Sequence, residues 1–365
     1  MRILWFNWRD IKHPDAGGAE VFTHEIMHRL VQKHHFDMTL FAAQIPSGKT
    51  TENIDGINII RGGNKFTVYD KAKNYYKKYN SDYDLIIDES NTKPFLTPKF
   101  VKNKPILAIF HQLSKEDWFY ETPFPLSYLG YYYFEKKWLS YYKDIPTVTV
   151  SNSTKEDLEA HGFKKIFMVP EGLNIVPLSE VHMQQKEMKP TIAFIGRLKR
   201  HKLPNHALEA FSLIKKEIPD AKMWVIGDGY MLKELIKRFA AQDVIFYGHV
   251  ENQIKNALLS KAHLILVPAV REGWSLVVTE SNAVGTPAIG YNVPGLKDSI
   301  RDWETGILVN KNSPDNLARS AISLLRDREL LSKFSSNALV FSKQFNWENS
   351  ANVFAKIVQS ITSQM

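Results

Sequence analysis

The stretch Arg271-Glu272-Gly273-Trp274-Ser275-Leu276-Val277-Val278-Thr279-Glu280 sets two carboxylates apart with seven residues between them. An apolar run, His263-Leu264-Ile265-Leu266-Val267-Pro268, precedes it and reads as a strand buried in a parallel sheet. A helix is expected to start near Ser275 and to stop before Gly285-Thr286-Pro287. A strand that ends in a polar loop and runs into a helix is where an open α/β sheet binds ligands. The free amides of the helix start suit an anion. The two carboxylates suit hydroxyl groups. A sugar nucleotide presents both.

Other candidates lie on comparable turns. Gly196-Arg197-Leu198-Lys199-Arg200-His201-Lys202 follows the expected strand 191–195. Arg197 can fork two phosphate oxygens and Lys202 adds a point charge. Either alone would be a solvated surface cation; together they point to a diphosphate. In Asp15-Ala16-Gly17-Gly18-Ala19-Glu20, Gly17 and Gly18 stand where a loop enters a helix, so a phosphate could approach the backbone closely. A tight turn is the simpler alternative. His111 closes the expected strand 105–111 at its carboxyl end, the ligand end of such a sheet.

Two further patterns carry less. His24-Glu25-Ile26-Met27-His28 matches the spacing of zinc-protease ligands. Both histidines, however, sit largely opposite the apolar face Phe22, Ile26 and Leu30 of the same helix, so they read as solvated and no metal site is assigned. Asp82-Tyr83-Asp84 has the form of a metal-binding Asp-x-Asp, but it precedes a strand and reads as a turn.

The elements that must position these residues alternate strand and helix. Strands are expected at 3–7, 37–42, 56–60, 84–89, 105–111, 145–150 and 166–169. Residues 69–80 look helical and rich in lysine. Irregular, polar residues 175–189 read as a linker. The rhythm restarts with strands at 191–195, 222–226, 244–250, 263–268, 288–289 and 306–309. A helix is expected near 295–301, and the last one follows Asn346-Trp347. The implied division is a first domain at 1–174, the linker, a second domain at 190–345 and a terminal helix at 346–365.

A chain of 365 residues exceeds one ordinary core, in keeping with two domains. Its 44% hydrophobic and 24% charged residues are those of a soluble globular protein. The formal charge is +8, spread without a block of five like charges, which favours solubility over the alternative of attraction to anionic ligands or an anionic membrane face; no nucleic-acid partner is expected. No cysteine is present, so thiolate metal sites and disulfides are excluded. The first residues are too short an apolar run for a signal peptide, and the expected place is the cytoplasm, with the inner membrane face an open question. That question comes from residues 118–142, of which twelve are aromatic. Phe124-Pro125-Leu126 and Gly130 are expected to break this segment, leaving 131–142 as the helical part. Three readings stay open for it: a core layer, an acceptor site that includes Trp118 and Phe119, and a peripheral membrane contact helped by Lys71, Lys73, Lys77 and Lys78.

Taken together, these residues resemble the retaining glycosyltransferases of family 4, the group 1 glycosyltransferases with the GT-B fold. The resemblance covers nearly the whole chain. Its most specific part is Glu272 to Glu280 followed by Gly285-Thr286-Pro287, supported by Gly17-Gly18-Ala19-Glu20, Gly196-Arg197 with Lys202, Val150-Ser151 and Gly227-Asp228-Gly229. It implies two Rossmann-like, doubly wound parallel-sheet α/β domains facing across a cleft. The first would take a saccharide or lipid-linked acceptor and the second a nucleotide-sugar donor. The terminal helix would cross back to the first domain.

Position by position, the resemblance gives Arg197 and Lys202 the donor diphosphate, with amides near Gly17, Gly18, Ser275 and Leu276 adding donors. Glu272, next to Gly273 and Trp274, would contact the transferred sugar, and Glu280 the ribose. Gly248, His249 and Val250 would border the base. His111 would lie near the sugar and serve both catalysis and the acceptor side. No metal and no cofactor is expected. Two alternatives remain: a nucleotide-sugar 2-epimerase of the same fold, and a non-enzymatic basic module that binds a membrane or nucleic acid.

Overall fold

The computed structural model describes residues 1–46, 48–240 and 243–363. The chain forms two compact units. One comprises Met1–Lys115, Tyr128–Gly172 and Asn346–Met365; the other comprises Glu116–Ser127 and Leu173–Phe345.

The first unit holds β1 (Arg2–Phe6), β2 (Asp37–Ala42), β3 (Thr51–Ile54), β4 (Ile57–Arg61), β5 (Leu85–Ser90), β6 (Ile106–Phe110), β7 (Thr147–Thr149) and β8 (Ile166–Met168). They lie in the order β3-β4-β2-β1-β5-β6-β7-β8. All pairings are parallel except β3 with β4. β3 lies outside the expected strands. Its residues Thr51, Glu52 and Asn53 are polar and the strand alternates exposed and half-buried positions, and Asp55 and Gly56 both take positive φ, the Asp-Gly hairpin turn.

Helix α1 (Gly18–His34) buries Phe22, Ile26, Met27 and Leu30. α2 (Val68–Tyr79) covers the sheet with Val68, Ala72 and Tyr76. α6 (Asn152–Ala160) starts on Ser151, whose side chain accepts the Thr154 amide. α14 (Trp347–Thr362) lies on α1: Trp5 stacks on Phe354 at 5.3 Å, and Glu348 takes Arg29 at 3.0 Å. Gly172 admits the Trp347 ring, because a Cβ there would come within 2.3 Å of it.

Gly130 does not break the aromatic segment. α4 (Leu126–Leu129) continues through one π-helical turn, Gly130–Phe134, into α5 (Glu135–Leu139). Gly130 is buried, so the small residue serves packing rather than a stop.

The second unit holds β9 (Thr191–Ile195), β10 (Lys222–Ile226), β11 (Val244–Gly248), β12 (Leu264–Val267), β13 (Ala288–Tyr291) and β14 (Gly306–Val309). All are parallel, in the order β11-β10-β9-β12-β13-β14. This is the dinucleotide-fold order, and its chain direction reverses between β9 and β12. The connecting helices are α7 (Pro204–Glu217), α8 (Leu232–Phe239), α9 (Asn252–Lys261), α10 (Leu276–Ala283), α11 (Leu296–Ser299), α12 (Pro314–Arg326) and α13 (Arg328–Ser342). The helix expected near 295–301 is only the short α11, held by the Gly295 turn. One element comes from the first half of the sequence: α3 (Asp117–Glu121) packs against the turn Arg200–Lys202.

Residues 175–189 contain one 3-10 turn and lie against this unit. Ile175, Leu178 and Met183 reach its core, and buried Lys186 donates to the Gly285 carbonyl at 3.0 Å and the Thr286 hydroxyl at 2.7 Å. With no carboxylate beside it, burial lowers the Lys186 ammonium to about 7. Among the described residues, no helix is long and apolar enough to cross a membrane.

Candidate active site

In the second unit, the loops after β9, β10, β12 and β13 meet at the reversal of strand order. Their backbones approach too closely for side chains. A Cβ on Gly227 would lie 2.0 Å from the Gly196 carbonyl oxygen, and one on Gly295 2.2 Å from that of Glu272. Both glycines also take positive φ, which they alone adopt without strain. The Val270 amide donates to the His201 carbonyl at 2.9 Å, tying the β12 loop to the β9 loop.

On this frame Lys202 Nζ stands 2.6 Å from each carboxylate oxygen of Glu272. Lys255 of α9 grips Glu280 in the same way, at 2.8 Å to each oxygen. Arg197 is half-buried at the end of β9. Ser275, ahead of α10, has φ 92 and ψ 80, a conformation a serine keeps only where its surroundings impose it. It presents the first amides of α10, which have no partner within the helix. The Trp274 ring packs edge-on against Phe345 at 5.3 Å, and its indole N–H is buried without a hydrogen-bond partner. Gly248, with φ 67 and open space beside it, ends β11 at the sheet edge, and exposed His249 and half-buried Val250 follow it.

Segment 116–127 brings carboxylates to these loops. Glu116 Oε2 takes buried Arg271 at 3.3 Å. Glu121 Oε1 accepts the His201 amide at 3.0 Å and its ring Nδ1–H at 2.7 Å; the Tyr230 hydroxyl donates to the same carboxylate at 3.0 Å. Burial would raise Glu121, but the hydrogen bonds from His201 and Tyr230 hold it down to about 2. Burial raises Asp117 to about 7, with Lys202 opposing the rise and Glu272 adding to it. Trp118 is half-buried and Phe119 exposed on the same short helix.

Glu121 therefore fixes the turn that carries Lys202. Replacing it by Ala removes hydrogen bonds to a charged acceptor, each worth about 1.5–3 kcal/mol. Glu121→Ala is expected to destabilise the second unit by about 1.5 kcal/mol or more through this loss. Thermal unfolding would show it as a lower Tm, and an unchanged Tm would refute it.

The first unit holds a second cluster, at the carboxyl ends of β5, β6 and β8. His111 Nε2 is 2.9 Å from Glu89 Oε1, and its Nδ1 is 3.8 Å from Glu171 Oε1. Glu89 also accepts the Trp5 indole N–H at 2.7 Å and the Thr23 hydroxyl at 2.5 Å. Burial disfavours a charged ring, yet Glu171 and Glu89 outweigh it and lift His111 to about 10. Glu89 acts as the hydrogen-bond partner and the more distant Glu171 through its charge. Burial keeps Glu171 above the usual carboxylate range. Nearby, the Gly17 amide donates to Glu20 Oε2 at 2.6 Å, so that amide is engaged by its own helix; the Glu20 Oε1 takes Arg9 at 2.9 Å.

The two sequence patterns set aside earlier have ordinary partners. His24 Nε2 meets Asp55 Oδ2 at 3.0 Å and His28 Nδ1 meets the Asp55 carbonyl at 3.2 Å. Asp84 Oδ2 accepts the Arg2 amide at 2.7 Å, before β5 begins.

Sequence spacing brought out Lys202, Glu272, Glu280, Arg197 and His111. It missed Lys255, Glu116, Glu121, Glu89 and Glu171. Only Glu89 carried a usable signal, a charged residue at the carboxyl end of an apolar strand.

The family described as glycosyl transferases group 1 matches residues 180–340. An uncharacterized glycosyltransferase of Methanocaldococcus jannaschii is 22% identical, covering 96% of each chain. Among solved structures, the sucrose-phosphate synthase from Thermosynechococcus elongatus aligns over 100% of both chains with a TM-score of 0.82 at 19% identity. The Anabaena protein HepE, solved in complex with UDP-glucose, aligns over 100% of both chains with a TM-score of 0.75 at 16% identity. Residues 180–340 thus match the group 1 glycosyltransferases, and the chain has the two-domain, parallel-sheet GT-B fold.

Proposed function

We propose that the chain moves a sugar from a nucleotide-diphosphate sugar to an acceptor hydroxyl with retention of anomeric configuration. The observation that carries this is the Lys202–Glu272 pair, held at 2.6 Å where the β9 and β12 loops meet. The donor diphosphate lies against Lys202, Arg197 and the first amides of α10, which stabilise the charge that grows on it as the bond to the anomeric carbon breaks. Lys202 then turns from Glu272 toward phosphate, and the Glu272 carboxylate faces the positive charge at that carbon. Glu280, kept in place by Lys255, accepts hydrogen bonds from the ribose.

The departing phosphate oxygen takes the proton of the acceptor hydroxyl. That hydroxyl bonds to the anomeric carbon on the face the phosphate leaves, so configuration is kept and no protein base is required. In this scheme the protein's own cations carry the charge that a metal would otherwise neutralise. His111, cationic between two carboxylates in the first unit, offers a polar contact to hydroxyls of the acceptor. The acceptor is a saccharide or a lipid-linked saccharide in glycan, glycolipid or cell-surface polysaccharide synthesis.

Thermal-shift measurements against uridine, guanosine and adenosine diphosphate sugars test the donor site; UDP-glucose is the first choice, given the HepE complex. NMR of the product from the best donor reads the anomeric configuration, with and without EDTA. A clear thermal shift, a retained configuration and EDTA-resistant turnover are expected. An inverted product or loss of turnover in EDTA would refute the scheme. Conversion of the donor sugar without any acceptor would favour an epimerase.

A further inference from the structure

We propose that the solvent face of the helical stretch 128–139 in the first unit is a docking surface for an anionic lipid bilayer. This goes beyond the transfer reaction and does not depend on which sugar is moved. The stretch runs from the end of α4 through the π turn and α5. Its solvent face carries Tyr128 at 52%, Leu129 at 45%, Tyr132 at 58% and Tyr133 at 52% exposure, and then exposed Lys136 and Lys137. Single exposed apolar side chains are ordinary, but successive turns of large ones on one face mark a binding surface.

The face is held outward by the opposite one. Leu139 and Tyr142 lie in the core. The buried Glu135 carboxylate accepts the Ser114 amide at 2.6 Å and the Lys115 amide at 2.9 Å. The aromatic side chains are therefore fixed in water rather than free to collapse.

Chemistry selects the partner. Tyrosine, with an apolar ring and a polar tip, favours the level of lipid headgroups. The lysines stand beside the phenols: Lys137 Nζ is 3.1 Å from the Tyr133 hydroxyl, and Lys136 Nζ lies 5.8 Å from the Tyr132 ring centroid. Glu135 is the one acid from 128 to 139, and it is buried inward. The face thus combines apolar insertion with uncancelled positive charge, the pairing of an interfacial helix.

The test is co-sedimentation of the full chain with large unilamellar vesicles, either of equimolar phosphatidylglycerol and phosphatidylcholine or of phosphatidylcholine alone. Wild-type protein is expected to pellet with the anionic vesicles and to release at high salt. Lys136→Glu with Lys137→Glu is expected to lower that partitioning about 30-fold or more, from the loss of two surface lysines. Tyr132→Ser with Tyr133→Ser is expected to lower it by a similar factor while thermal unfolding stays unchanged. Equal pelleting on both vesicle types, or full binding by both variants, would overturn the proposal. So would a wild-type dimer in light scattering that the tyrosine variant dissolves, because the face would then belong to a second copy.

Discussion

Lys202→Ala is expected to lower kcat for glycosyl transfer by about 10²–10³, the usual cost of losing one group aimed at charge developing in the transition state. The donor KM should change less, because the leaving diphosphate gains its charge only as the bond breaks. Lys202 also balances Glu272, whose side chain is only 12% exposed. The single variant therefore leaves a carboxylate without its cation, and part of any lost activity could come from a disturbed loop. A second variant separates the two effects. Lys202→Ala with Glu272→Gln removes both charges and should recover the thermal stability of the single variant but none of its activity. Lys202→Arg keeps the charge and can fork both Glu272 oxygens, so it should restore the stability of the loop, but its longer planar head does not place a point charge where the ammonium stood and should restore activity only in part. Near-normal turnover in Lys202→Ala would refute the site.

The parts of this architecture that the sequence disclosed share one physical property. β9, β10 and β14 are short apolar runs buried on both faces, and they coincide with the strands read at 191–195, 222–226 and 306–309. β3 escaped because Thr51, Glu52 and Asn53 have no apolar run; only the Asp55-Gly56 turn announced it. Gly130 misled because helix propensity weighs against glycine, whereas a packed environment can require it.

The same contrast holds at the sites. Glu272 and Lys202 lie in loops that follow strands, and Glu280 lies on the helix that one of those loops enters, so their spacing along the sequence has meaning. Their partners have no such spacing: Lys255 is 25 residues from Glu280, Glu121 is 80 from His201, and Glu116 is 155 from Arg271. Such pairs are made by the tertiary fold, and no local period encodes them. Segment 116–127 is the clearest case, a piece of the first half of the sequence that folds with the second unit.

The His111 cluster is also tertiary, and it yields the other large effect. His111→Ala leaves Glu89 and Glu171 buried with no cation between them. Removing one partner of a buried charged set costs roughly 3–5 kcal/mol, so a marked fall in Tm at neutral pH is expected. Adding Glu171→Gln should return part of that loss, since one uncompensated carboxylate disappears; the two sites are coupled and their effects do not add. The pH dependence identifies the charge itself. His111 is raised to about 10 in the folded protein, against about 6.5 for an unfolded chain. The folded state therefore binds the extra proton, and this stabilisation is complete below the unfolded value. It fades as pH rises through the folded value. The Tm difference between wild type and His111→Ala should accordingly be largest at about pH 6.5 and shrink as pH rises toward 10. Taking the difference cancels the lysines and tyrosines that titrate in the same range in both proteins. A difference that stays constant across that range would mean that His111 is neutral and holds its place by packing against Phe22, at 5.1 Å between ring centres, rather than by charge.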